Sequence, residues 1–189
     1  AIVHVEELPA DREAAVLPRA FEWFVPESLA VARVLDDTAI VASDFRIDPA
    51  GHMRIALFGR SGTGSRRIGR IAQRLTEIET YKAMSMLGYY RARDLSGRMG
   101  ELDQSLTALV SDMTGNLARP EESLTQLLKV AAELESLRAV STFRFGATAA
   151  YEAIVHDRIA ALREQRFEGR PTFEEFMSRR YDPAMRTVK

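Results

Sequence analysis

The residues able to do chemistry are few and scattered. The segment Gly59-Arg60-Ser61-Gly62-Thr63-Gly64-Ser65-Arg66-Arg67 runs from a strand pattern into a helix pattern, the arrangement that phosphate-binding loops use. It lacks the Gly-Lys-Ser/Thr ending of a phosphate loop and the glycine spacing of a dinucleotide loop, so it reads as a flexible turn with Ser65 as the helix N-cap. Arg66, Arg67, Arg70 and Arg74 place positive charge at the start of that helix, where the helix dipole disfavours it. An anion or intramolecular carboxylates must compensate. The candidate anion-binding residues are Arg60, Arg66, Arg67 and Arg70.

Glu77-Ile78-Glu79-Thr80-Tyr81-Lys82 is the most distinctive hexapeptide. Glu77 and Tyr81 lie one turn apart on one face. Paired carboxylates could bind a divalent ion or act as acid and base, but Glu77 and Glu79 point about 200° apart on a helix and cannot share an ion. Asp44, Arg46, Arg54, Glu77 and Tyr81 form a candidate polar cluster. His4, His52 and His156 have no second ligand at a metal spacing, and each reads as structural. No Gly-x-Ser-x-Gly elbow is present. The absence of cysteine excludes disulfides, thiolate zinc sites and a cysteine nucleophile. No catalytic residue, metal site or cofactor is therefore assigned.

These residues must be positioned by two kinds of structure. Residues 29–35, 39–47 and 52–58 read as an antiparallel meander, and residues 1–5 already read as a strand. Asp48-Pro49-Ala50-Gly51 supplies a proline and then a glycine suited to a left-handed position. A three-residue loop there sets a register in which paired numbers sum to 100. Ile47 then faces Met53, Phe45 faces Ile55 and Ser43 faces Leu57, while Asp44, Arg46 and Arg54 occupy the opposite face. Residues 12–23 suggest a short helix followed by an extended stretch closed by Pro26.

From residue 65 onward the chain reads as helix. Ile68, Ile71, Leu75, Ile78 and Tyr81 make the stripe of a first helix, residues 66–87. A kink is expected between Gly88 and Gly100, where glycines lower helix propensity. A second helix carries Leu102, Leu106, Leu109 and Met113, spaced four, three, four, and Gly115-Asn116 ends it. Pro120-Glu121-Glu122 opens a third helix, extending to about residue 165, with Leu124, Leu127, Ala131, Leu134 and Leu137 as its seam. Gly146 and Ala150, small and four apart, permit close helix contact. Gly169 and Pro171 stop it, and Thr172-Phe173-Glu174-Glu175 is a capping box for a last helix. The expectation is α+β: a small antiparallel sheet over residues 1–64 packed beside an antiparallel hairpin or bundle of long helices over residues 65–189, in one structural unit.

Composition bounds what such a chain does. At 189 residues and 46% hydrophobic it can bury a sizeable core. A net charge of −1 gives no electrostatic case for nucleic-acid binding. No apolar run approaches the roughly 20 residues of a spanning helix. The strand-like beginning and the lack of a terminator after Met185-Arg186-Thr187-Val188-Lys189 lead us to expect a longer chain.

Phe45-Arg46-Ile47-Asp48, then Arg70-Ile71-Ala72-Gln73-Arg74-Leu75-Thr76-Glu77-Ile78-Glu79-Thr80-Tyr81-Lys82, then Phe143-Arg144-Phe145-Gly146-Ala147-Thr148 and Pro183-Ala184-Met185-Arg186-Thr187 resemble, in order, a bacterial family of uncharacterised membrane-anchored proteins. The likeness runs from about Phe21 to the end. It implies further sequence before this region, transmembrane segments after it, and no catalytic residues to carry over. Three classes of function remain. The favoured one is a soluble, non-enzymatic scaffold or interaction domain, anchored to a membrane through other segments and facing the cytoplasm. Its partners would be other parts of its own chain or further copies in a homo-oligomer. The alternative is the regulatory domain of a CorA-like divalent-cation transporter, by analogy of layout, for which Asp103, Asp112 and Glu133 are candidate carboxylates. The third is an enzyme acting on a phosphorylated or nucleotide substrate through Arg60, Arg66 and Arg67.

Overall fold

The computed structural model describes residues 1–8, 10–114 and 120–188, with the side chains of Ala10 and Asp11 left aside. The turn expected at Gly115-Asn116 lies outside the described residues. The strands are β1 (Ile2–Leu8), β2 (Ala30–Val34), β3 (Ala39–Ser43), β4 (Arg54–Arg60) and β5 (Gln165–Arg166). The helices are α1 (Val16–Trp23), α2 (Ser65–Thr114), α3 (Pro120–Ala160), α4 (Phe173–Arg180) and α5 (Asp182–Arg186). The fold is α+β, a five-stranded sheet ordered β1-β4-β3-β2-β5 against a long helix pair.

The meander forms because β2, β3 and β4 are nearly continuous runs of Ala, Val, Ile and Leu, and such strands are buried on both faces. One face, carrying Val41, Ile55 and Leu57, packs on Ile71, Leu75 and Ile78 of α2, Val155 and Ile159 of α3, and Met177 of α4. The other, carrying Val31, Ile40, Ala56 and Phe58, is covered by Val16, Ala20 and Phe24 from α1 and its exit, and by Phe167. The expectation of a polar second face is thus corrected in part: the face is covered, and of the three polar residues expected on it Arg54 alone stands in a strand. Strand alternation assigned that face to Asp44, Arg46 and Arg54. Arg54 does lie there, over the Phe24 ring, as Arg33 lies over Phe167, but β3 ends at Ser43, so Asp44 and Arg46 lie beyond the strand, and the centre of the face is apolar. β1 adds a parallel edge to β4 and β5 an antiparallel edge to β2.

The 48–51 turn forms as expected. Gly51 has φ 85, and the Asp48 carboxylate accepts the N–H groups of Ala50 and His52. Ile47 pairs with Met53, at the expected sum of 100. Further in, pairs such as Val41 with Leu57 sum to 98. The slip of two preserves which side chains face the core, but Phe45 and Ser43 lose their expected partners. Phe45 takes a left-handed φ of 54 and leaves the ladder. Its ring packs on Phe173 and Phe176 of α4, with centroids 4.8 and 4.3 Å away. The Ser43 hydroxyl accepts the Phe45 N–H and donates to the Arg54 carbonyl, satisfying groups the slip would leave unpaired.

α2 is one uninterrupted helix of 50 residues, not two joined at a kink. Its pairs with α3, Glu77 with Arg158, Gly88 with Thr148 and Arg98 with Glu133, run in opposite directions along the two helices, so the hairpin is antiparallel. Gly88 is a contact residue. A Cβ there would lie 2.0 Å from the Thr148 hydroxyl oxygen and 2.9 Å from its Cβ. The small residue that brings the helices together is therefore Gly88, whereas a Cβ at Gly146 meets nothing within 4 Å. α3 ends at Ala160, short of the expected boundary, because residues 165–166 join the sheet. The Thr172 capping box forms, with Thr172 accepting the Glu175 N–H and Glu175 accepting the Thr172 N–H. α4 and α5 close the core, with the Tyr181 hydroxyl hydrogen-bonded to the buried Ser85 hydroxyl at 2.7 Å. Burial pushes the Tyr181 phenol up to about 12.

Gly88→Ala and Gly146→Ala should part company. Overpacking at Thr148 costs about 1–3 kcal/mol, more than the up to about 1 kcal/mol that Ala gains over Gly in a helix. Gly146→Ala collects that helix gain unopposed and stabilises. Chemical denaturation of the two variants checks this, and a Gly88→Ala protein as stable as Gly146→Ala would contradict it.

Candidate functional site

The loop before α2 is held by its own contacts. Arg60 and Thr63 close a turn around Gly62, which has φ 82, and Ser61 donates to the Glu7 carboxylate at 3.1 Å. α2 begins at Ser65, and the Gly64 carbonyl accepts the N–H groups of Arg67 and Ile68, so the helix starts one residue earlier than the sequence indicates. Gly59 makes room for Ile68, whose Cδ1 would sit 2.5 Å from a Cβ.

The four candidate arginines separate. Arg60 turns toward Glu13 and Asp37, donating to them at 2.6 and 2.9 Å. Its guanidinium, aided by Arg33, holds the Glu13 carboxyl below its ordinary range. Arg66 is exposed. Arg67 and Arg70 line a cleft of about 430 Å³ together with Arg74, Arg163, Asp36 and Thr38. Arg74 donates to the Ala161 carbonyl at 3.1 Å, and Arg163 pairs with Asp36 at 2.8 Å. Arg163 follows α3 in a lone position with no pattern to mark it, so only the fold brings it to α2.

The candidate polar cluster also separates. Asp44 is 2% exposed and its carboxylate accepts the N–H groups of Val25 and Arg46, both at 3.1 Å. Arg46 donates to the Ser28 hydroxyl, and Arg54 lies over the Phe24 ring. These three fasten the end of β3 and the start of β4 to the segment leading into β2. Glu77 instead accepts from Gln73 and Arg158, which lower its carboxyl pKa in that order. Tyr81 stacks on Tyr151 of α3 at 5.8 Å. Glu77 and Tyr81 thus join α2 to α3, and no hydrogen bond or ion pair among the described residues joins them to Asp44, Arg46 or Arg54.

His4 meets the Trp23 ring edge-on, His52 faces Asp48 at 3.9 Å and His156 faces Asp182 at 3.4 Å. Among the described residues, no three acidic or histidine side chains are grouped to hold a metal ion. Asp103 is exposed. Asp112 and Glu133 border one cleft of about 490 Å³ on a flank of the hairpin, beside Lys129 and Arg98, and Arg98 pairs with Glu133.

The opposite character appears on another flank of the hairpin. There a groove of about 660 Å³ is lined by Leu95, Met99, Leu134, Leu137, Phe145 and Val188. Its rim carries Glu135 and Arg138, paired at 3.3 Å. The apolar cluster joining the helices at this level, around Leu102, Leu109 and Val130, draws on α2 and α3 alone. No helix among the described residues is long and apolar enough to cross a membrane.

These features define a class: an α+β domain whose sheet anchors one end of a long antiparallel helical hairpin. A family model described as "Protein of unknown function (DUF3422)" matches residues 1–189, so the chain belongs to that family. No curated protein and no solved structure matches it.

One carboxyl group titrates near neutrality. Glu164 caps α4, accepting the N–H of Phe173 at 3.0 Å and of Glu174 at 2.9 Å. Burial, and after it the nearby charges of Glu174 and Glu175, raise its pKa to about 7 against the ordinary 4.5, while the two backbone hydrogen bonds oppose the rise. The folded state thus holds this proton more tightly than the unfolded chain. The resulting stability is complete below pH 4.5 and is lost as pH rises through about 7. It amounts to up to about 3 kcal/mol. Glu164→Gln should remove that decline from the stability–pH profile; an unchanged difference between pH 4.5 and 7 in the variant would contradict the assignment.

Proposed function

We propose that this is a non-enzymatic scaffold domain of a bacterial membrane-anchored protein, and that it acts by pairing its helical hairpin with that of a second copy. The observation that carries the reading is the apolar groove on the hairpin. A soluble helix normally buries its apolar stripe, and here Met99 stands half exposed beside Leu95, Leu134 and Leu137. The part of α2 after Tyr89 is roughly 40 Å long at the α-helical rise, enough for an interface of ordinary size. Two antiparallel hairpins meeting groove to groove form a four-helix bundle.

A second copy fits the charge pattern. Glu135 and Arg138 at the rim carry both signs, so a two-fold axis can set each against its opposite. The net charge of −1 adds no repulsion between copies. The membrane anchor, the bacterial setting and the cytoplasmic side rest on the resemblance of residues 45–48, 70–82, 143–148 and 183–187, and the anchor would lie in other segments of the chain.

Sedimentation of the domain tests the pairing. The wild-type protein should show a concentration-dependent dimer. Ser96→Lys with Met99→Lys, two exposed positions lining the groove, should raise the dissociation constant at least about a hundredfold by placing unpaired charge in the interface, with an unchanged helical circular-dichroism spectrum. A wild-type protein that stays monomeric at high micromolar concentration rejects the proposal.

A further inference from the structure

The cleft at the start of α2 holds four guanidinium groups against one carboxylate. Arg67, Arg70 and Arg74 recur at intervals of three and four residues, which puts them on one face of α2. Arg163 approaches from the segment after α3. Arg74 is tethered to the Ala161 carbonyl and Arg163 to Asp36. The Arg67 and Arg70 side chains have no hydrogen-bond or ion-pair partner among the described residues, although both line the same cavity.

This arrangement is costly without a ligand. Like charges crowd one cavity, and they do so in the first turns of a helix, which begins with no acidic residue to offset the dipole. The opposite wall is fixed by the fold. The Leu35 N–H donates to the Leu162 carbonyl at 2.8 Å, and the Thr38 hydroxyl donates to the Leu35 carbonyl at 2.6 Å. The cleft thus lies between three segments, and the solvent-exposed Arg67 and Arg70 line it with side chains that no ion pair occupies.

We propose that this cleft binds a phosphate-bearing dianion. Guanidinium forks match phosphate oxygens in geometry and charge, and a doubly charged anion offsets two of the three excess positive charges. Arg67 and Arg70 bind it directly, while Arg74 and Arg163 frame the cavity from positions held by their own partners. The site is Arg67, Arg70, Arg74 and Arg163, without Arg60, which Glu13 and Asp37 occupy. This proposal does not depend on self-association of the hairpin.

The phosphate can belong to a free molecule or to a lipid headgroup, and two arms distinguish them. In the first, calorimetry follows titration of the protein with inorganic pyrophosphate, with sodium chloride at matched ionic strength as control. In the second, the protein is floated with phosphatidylcholine vesicles with and without phosphatidic acid. Saturable pyrophosphate binding supports a free ligand. Flotation only with phosphatidic acid supports a headgroup. In either case Arg67→Ala with Arg70→Ala should weaken binding at least roughly a hundredfold, given the worth of hydrogen bonds to charged groups, and Arg66→Ala should change it little. Lack of binding in both arms, or binding that the double variant leaves intact in a protein of unchanged melting temperature, overturns the proposal.

Discussion

The approach of α2 to α3 at Gly88 and Thr148 is the constraint on which the rest depends. Helices carrying ordinary side chains keep their axes about 8–10 Å apart. At Gly88 the Thr148 side chain occupies the space a Cβ would need. That contact fixes how far one helix can slide along the other. With it fixed, Glu77 reaches Arg158 on one side, Arg98 reaches Glu133 on the other, and the Tyr81 and Tyr151 rings stack between. The same crossing aligns Ile71, Leu75 and Ile78 with Val155 and Ile159 so that both helices meet the sheet as a single apolar layer.

From this crossing the hairpin runs two ways, with different chemistry at each end. Toward the sheet, the start of α2 and the exit of α3 come together, which is why Arg163 joins Arg67, Arg70 and Arg74 although nearly ninety residues separate it from Arg74. Away from the sheet, a cluster of Leu102, Leu109 and Val130, drawn from the two helices among the described residues, holds the pair together. One flank there is charged and ion-paired. Another is an apolar groove. The sheet, buried on both faces, supplies the rigid base to which this lever is fixed.

Much of this was legible in the residue pattern. The meander, the Asp48–Gly51 turn, the stripe of α2, the leucine seams and the Thr172 capping box are local signals, each set by periodicity or by a residue with one conformational use. What the residue pattern does not carry is set by tertiary partners. Gly88 and Gly146 are equal in propensity, and only the facing helix makes one a contact and leaves the other open. Phe45 had a strand pattern, yet the aromatic pocket offered by Phe173 and Phe176 draws it out of the ladder. β1 pairs in parallel with β4, a long-range choice that no turn announces. Of the cleft, Arg67, Arg70 and Arg74 are visible as a basic patch. Arg163 is not, because nothing near it in sequence marks it, and proximity in sequence hides that the Arg60 side chain turns away to Glu13 and Asp37.

In the proposed assembly the hairpin groove meets that of a second copy. Because the chain has no cysteine, single nitroxide labels can be placed cleanly, and dipolar distances between copies read directly. A label at Ala139 on the exposed surface of α3 should give a narrow intermolecular distance distribution, shorter than that from a label at Ala50 on the sheet turn. Absence of intermolecular coupling at Ala139, or a shorter distance at Ala50, would contradict the claim.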